Sequence, residues 1–169
     1  MKFQMSARLL LSGEVEGKAL ESAIEDAKPL LSKGAPDGKG AVIDSYSVSG
    51  DEIHIELSSG RYVRPHDAIL RINKHLSARL GKEQKVGIRR IEVKSYEIWY
   101  ELKQKPLEEV TLPFTEKIEI TDEEAHLVLK DIDQQALEGK YVDRLLRRLD
   151  EKISQQHARG KKEYVKTLK

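Results

Sequence analysis

The sequence predicts an α+β fold: an antiparallel sheet of about six strands, capped on one side by about three helices. Three observations carry this. Short runs with apolar alternation recur along the chain, as half-buried strands require. One pair of runs is separated only by Ser49-Gly50-Asp51, a hairpin signal. Three longer segments repeat apolar residues at helical spacing, and strands with one apolar face need such a layer to cover it.

In chain order, Phe3, Met5, Ala7, Leu9 and Leu11 alternate with Lys2, Gln4, Ser6 and Arg8 and predict the first strand. Val15 to Leu31 places Ala19, Leu20, Ala23, Ile24, Ala27 and Leu31 on a helical stripe, with Pro29 expected to kink or shorten it. Lys33 to Gly40 is turn-rich and lacks the Gly-Lys-Ser/Thr ending of a phosphate loop, so it reads as a plain connection. Ala41–Val48 and Glu52–Leu57 form the hairpin. Pro65 opens the next helix and Asp67 complements its positive end; Ile69, Ile72, Leu76 and Leu80 form the buried stripe, and Gly81 stops it. Arg71 and Lys74 then project from the opposite side.

Val86 and Ile88 alternate, but Ile91 and Val93 resume in the other phase, a parity change that predicts a bulge at Arg89-Arg90. Tyr96, Ile98, Tyr100 and Leu102 give a further strand, with Lys94-Ser95 as another break or bend. Glu109–Phe114, Lys117–Ile120 and Ala125–Leu129 read as short strands. Val142, Leu145, Leu146, Leu149 and Ile153 mark an amphipathic helix from Gln134 to Gln156. The expected organisation is one domain over residues 1–156, followed by a basic linker or tail over 157–169.

Composition narrows the function classes. With 38% hydrophobic and 35% charged residues the 169-residue chain is too apolar for disorder and more charged than most globular proteins. It has no cysteine, which excludes disulfides, thiolate zinc sites and cysteine nucleophiles and is compatible with a reducing cytoplasm. The N-terminal apolar patch is only Leu9 to Leu11, too short for a signal peptide, and nothing approaches a membrane span. Histidines 54, 66, 75, 126 and 157 are not at metal-ligand spacing, no Gly-x-Ser-x-Gly elbow occurs, and the acidic residues 122–124, 131 and 133 lack a glycine-punctuated calcium loop. Neither a catalytic constellation nor a metal site is read from the chain.

Charge is the informative feature. Arg61 to Lys94 contains Arg61, Arg64, Arg71, Lys74, Arg79, Lys82, Lys85, Arg89, Arg90 and Lys94 against Asp67, Glu83 and Glu92. This segment carries +7 in a chain of net +1, so the remainder carries −6. Cations gathered on one helix and the next strand suit RNA phosphates, and Tyr62 is a nearby aromatic able to stack on a base or ribose. A merely solvated helix face is the competing reading.

The motifs Gly60-Arg61-Tyr62-Val63-Arg64-x-His66-Asp67-Ala68-Ile69-x-Arg71 and Val86-Gly87-Ile88-Arg89-x-Ile91-Glu92-Val93 resemble the N-terminal domain of the atypical, methanogenic-type archaeal seryl-tRNA synthetase. Gly34-Ala35-Pro36-Asp37-Gly38, Leu80-Gly81-Lys82, Asp143-Arg144, Leu149 and Glu151-Lys152-Ile153 extend the resemblance over nearly the whole chain. It implies a tRNA-binding domain, an antiparallel sheet capped by helices, that recognises serine tRNA through its long variable arm. The helix positions of that recognition correspond to Arg71 and Lys74 and the strand position to Arg89; Arg61, Arg64, Lys82, Lys85 and Arg90 add to the field. One departure is Asn73, where the family has a further basic residue. The family's catalytic core, with ATP-binding class II motifs, magnesium and a cysteine-containing zinc site, lies C-terminal to this domain. The chain is therefore expected to be an excised domain or a free-standing relative that does not aminoacylate by itself. It would work with a catalytic domain in cis or a synthetase in trans. The alternative is a scaffold of the translation machinery that docks to a synthetase.

Overall fold

A computed structural model describes residues 1–33, 40–60, 63–80, 86–130, 132–133 and 140–168, with side chains described as far as Gly160. The strands are β1 (Lys2–Leu11), β2 (Ala41–Ser49), β3 (Glu52–Ser59), β4 (Ile88–Glu101), β5 (Thr115–Thr121) and β6 (Glu124–Leu129). The helices are α1 (Gly17–Leu31), α2 (Pro65–Arg79) and α3 (Tyr141–Leu168). One six-stranded sheet has the order β2-β3-β1-β4-β6-β5, with every neighbouring pair antiparallel.

This order follows from where the helices cross. β3 and β4 both pair with β1 and so run parallel to each other, with α2 as their connection; α1 likewise joins β1 to β2 across β3. Two such interleaved β-α-β units make a ferredoxin-like core. The β5–β6 hairpin extends the sheet beyond β4. Gly50, with φ of 61°, supplies the left-handed residue of the β2–β3 turn.

The odd residues of β1 fill the centre: Phe3, Met5, Leu9 and Leu11 are buried in one core cluster with Leu20 and Ile24 of α1, Ile69, Ile72 and Leu76 of α2, and Leu149 and Ile153 of α3. A 15-residue helix such as α2 is marginal alone. Burial of its Ile and Leu side chains, worth about 1.5–3 kcal/mol each, is what holds it. Pro29 lies inside α1, which ends two residues later.

Both parity changes predicted in the basic region are bulges of a single strand. Against β1, the register passes from Ser6↔Ser95 to Ala7↔Val93, leaving Lys94 over, and from Leu10↔Arg90 to Leu11↔Ile88, leaving Arg89 over. Each surplus residue flips the phase, so Ile91, Tyr96 and Ile98 all reach the core.

Two expectations change. Residues 109–114 are not a strand: Val110 and Leu112 are buried, but the segment lies against α3 rather than beside another strand. Buried Gln156 accepts from the N–H groups of Leu107 (2.8 Å) and Glu108 (3.2 Å) and donates to Glu108 O, while Lys152 Nζ donates to Thr111 O (2.6 Å). Apolar alternation reports one buried side and not what the backbone bonds to. The second change concerns the basic stretch read as a linker or tail, which continues α3 as helix to Leu168. Residues 134–139, expected to begin that helix, lie outside the described residues.

Candidate nucleic-acid interface

α2 starts where Arg64, in extended backbone, hands over to Pro65 at the first helical position, and Asp67 stands in the first turn. With Ala68, Ile69, Ile72 and Leu76 turned to the core, helical geometry leaves Arg71, Lys74 and Ala78 facing out. Arg71 and Lys74 are exposed, and neither side chain has a salt bridge or hydrogen bond among the described residues. They are i,i+3 neighbours, roughly 5–6 Å apart at Cβ. With Ala27, Leu30, Leu31, His75 and Ala78 they line an open groove of about 410 Å³ between α1 and α2. Its floor is aliphatic and its rim is cationic.

The side of α2 next to Lys74 fastens to the beginning of β4. Asn73 Oδ1 accepts from Ile88 N–H (2.8 Å), and Ser77 Oγ donates to Val86 O (3.1 Å). Gly87 exchanges hydrogen bonds with Ser12 at the end of β1, and a Cβ at Gly87 would come within 3.3 Å of Asn73 Oδ1. Asn73, the departure noted in the sequence, is thus a structural acceptor. Next along β4 come Arg89 and Arg90, both exposed. Arg89 Nε donates to Leu11 O (3.1 Å), which fixes the root of the guanidinium and leaves its two terminal amino groups for other partners.

The remaining cations are placed differently. Arg64 pairs with Asp143 of α3 at 2.7 Å, so its charge is largely answered within the protein. Tyr96 is buried, which pushes its phenol up, and Arg64, Asp143 and Asp67 act on it. Arg90 Nε lies 3.6 Å from Glu92 Oε1. Arg79 pairs with Asp26 of α1, clasping the two helices. Arg61, Tyr62, Lys82 and Lys85 lie outside the described residues, as does the Gly34–Gly38 loop. Among the described residues, no group of three His, Cys, Asp or Glu side chains is placed to hold a metal ion, and no helix is long and apolar enough to cross a membrane.

Sequence reasoning did not find the α1 side of the groove. Leu30, 60% exposed, was legible only as an apolar residue just outside the buried stripe. It named Arg144 only within the resemblance and did not read Arg144, Arg147 and Arg148 of α3 as a cationic cluster, for which their i, i+3, i+4 spacing was the available signal.

A sheet whose helical layer exposes unpaired cations above an aliphatic floor has the makings of an RNA-binding domain. Residues 1–151 match the family described as a tRNA-binding domain, and the chain belongs to that family. It is 35% identical over 176 residues to the type-2 serine–tRNA ligase of Methanothrix thermoacetophila, covering 99% of this chain and 34% of that protein. The corresponding enzyme of Methanopyrus kandleri is 32% identical over 155 residues, 87% of this chain and 29% of that protein. A solved structure of M. kandleri SerRS in complex with A. aeolicus tRNASec has a TM-score of 0.64 and 34% identity, covering 86% of this chain and 29% of that chain. The chain therefore spans about a third of the length of the curated relatives it matches. It is a tRNA-binding domain homologous to the N-terminal domain of the methanogenic type-2 seryl-tRNA synthetases.

Proposed function

We propose that this domain serves a cytoplasmic seryl-tRNA synthetase, as part of one or derived from one, and recognises serine tRNA through its long variable arm. Arg71, Lys74 and Arg89 contact phosphates or riboses, and the aliphatic floor beside Leu30 receives a sugar or base face. Arg90 and, from their charge alone, Arg61, Lys82 and Lys85 add field; Arg64, held by Asp143, adds less. The domain needs no cofactor for this. ATP, magnesium and zinc belong to a catalytic core supplied in cis or by a synthetase in trans.

The observation that carries this reading is the pairing of exposure with fixation. Arg71 and Lys74 are unpaired among the described residues, yet Asn73 between them is bolted to the strand that presents Arg89. The backbone that carries these cations is already fixed, so binding phosphate has to order only their side chains. Replacing Arg71, Lys74 and Arg89 together with alanine is expected to weaken serine-tRNA binding about a hundredfold or more, since a charge-assisted contact is worth about 1.5–3 kcal/mol. Three to five phosphates neutralised on this surface contribute about −2 to −4 to the slope of log affinity against log salt. Filter binding measures both, and deletion of the variable arm should reproduce the loss. Unchanged affinity in the triple variant would reject this surface, and a protein partner recovered after nuclease treatment in its place would favour the scaffold reading.

A further inference from the structure

A second cationic cluster lies on α3. Arg144, Arg147 and Arg148 share one exposed face within about one helical turn, and none of their side chains has a salt bridge or hydrogen bond among the described residues. Like charges at i,i+3 and i,i+4 repel one another, so three unanswered guanidinium groups work against the helix that bears them. With Tyr141, Leu145 and Glu151 of the same helix, and Pro113 from the segment before β5, they line an open groove of about 350 Å³.

An aromatic ring is held beside this groove. Phe114 has φ of 58°, a region that L side chains with bulky groups rarely adopt, and the residue is 51% exposed. The conformation is locked: Thr115 Oγ1 donates to Leu112 O (2.7 Å), Lys130 N–H donates to Phe114 O (2.9 Å), and the ring meets Tyr141 edge-on at 5.8 Å. The Tyr141 hydroxyl is itself buried with no hydrogen-bond partner among the described residues. A strained backbone that displays an apolar ring to solvent next to unpaired arginines suits a ligand with both a flat face and negative charge.

We propose that this groove is a second tRNA contact, in which Arg144, Arg147 and Arg148 engage neighbouring phosphates and Phe114 stacks on an unpaired base. It rests on the reading that the chain binds tRNA, but on a different surface. α1 and α2 pack over β2, β3 and β1, whereas Pro113 and Phe114 lead into β5 at the opposite edge of the sheet. The two cationic grooves thus flank the same helical layer, and one extended RNA can lie across both. A polyanion fits better than a protein surface, which would have to offer several carboxylates to one turn of helix.

The test uses the whole chain and a serine-tRNA transcript. The triple change Arg144→Gln, Arg147→Gln, Arg148→Gln is expected to lower affinity tenfold or more and to reduce the magnitude of the salt slope by about 2 to 3. The melting temperature should hold or rise. In phosphate footprinting, the protections it loses should differ from those lost by the Arg71, Lys74, Arg89 triple-alanine variant. Phe114→Leu should lower affinity about fivefold or more with the salt slope unchanged, because stacking is not a charge contact. If the α3 triple variant keeps wild-type affinity, slope and footprint while the α2–β4 variant loses binding, this inference is overturned and the proposed function stands. If the wild-type chain fails to bind the transcript, both fall.

Discussion

On the open face of the sheet, charged side chains find partners beside them. Arg8 bonds Glu92 and lies 3.4 Å from Glu52; the bond to Glu92 raises its pKa. Lys117 and Glu119 pair at 2.6 Å, and His126 Nε2 lies 3.1 Å from Glu97 while stacking on Trp99 at 4.5 Å. On the helical face, Arg71, Lys74, Arg144, Arg147 and Arg148 have no such partners among the described residues. A paired ion stabilises a sheet surface modestly and offers little to a visitor; an unpaired one stabilises nothing and is available. Sign and density of charge alone do not separate the two faces. Whether a charge is already answered sets these five cations apart, both from the open face and from Arg64 and Arg79 beside them, which Asp143 and Asp26 answer.

Charge reversal should separate them most clearly. Arg71→Glu with Lys74→Glu is expected to weaken tRNA binding at least about a hundredfold, by replacing attraction with repulsion at each phosphate. Arg8→Gln on the open face should leave binding within about twofold. Filter binding at one salt concentration decides it, and equal losses would erase the contrast. Asn73→Ala, which leaves the buried side of the Ile88 N–H without its acceptor, should cost about 1–3 kcal/mol of stability in urea unfolding. It should weaken tRNA binding as the root of β4 loosens. Asn73→Lys should lose the same stability despite its added cation; a variant as stable as wild type would show that the hydrogen bond is dispensable.

The smallest effect is one of pH. Hydrogen bonds from Tyr46 (2.7 Å) and then Lys28 (3.0 Å) hold the Glu25 carboxyl below its ordinary value of 4.5. A depressed carboxyl contributes stability above its unfolded pKa and loses it as pH falls through the folded one. Thermal melts between pH 6 and pH 3 should therefore show Glu25→Gln less acid-sensitive than wild type, with the two curves converging at the acid end. Burial first, and then the hydrogen bond to Glu25, lift the Tyr46 phenol to about 12.

Periodicity reported most of this architecture because burial on one side is a property of single residues in order. It placed β1, the β2–β3 hairpin and the stripe of α2, and parity even located the surplus residues of β4. It did not report partners. Val110 and Leu112 alternate like a strand yet lean on α3, and the interleaving of β1 between β3 and β4 is a matter of pairing between distant segments. The same limit applied to the site. Arg71 and Lys74 could be read as outward from helical spacing, but that Asp143 would answer Arg64, or Asp26 Arg79, depends on contacts 79 and 53 positions apart along the chain. The arginine triplet of α3 was masked by the acidic balance of the residues around it.

Arg89 is the surplus residue of its bulge, opposite no partner of its own on β1. Removing that one position would be no trimming of a loop: everything N-terminal to it on the strand would turn over, sending Ile88 outward and dragging the Asn73 and Ser77 anchors out of reach. The cation is therefore welded to the phase of the strand. Evolution can exchange the side chain there for another, but it cannot slide the position along the backbone without dismantling the joint between helix and sheet.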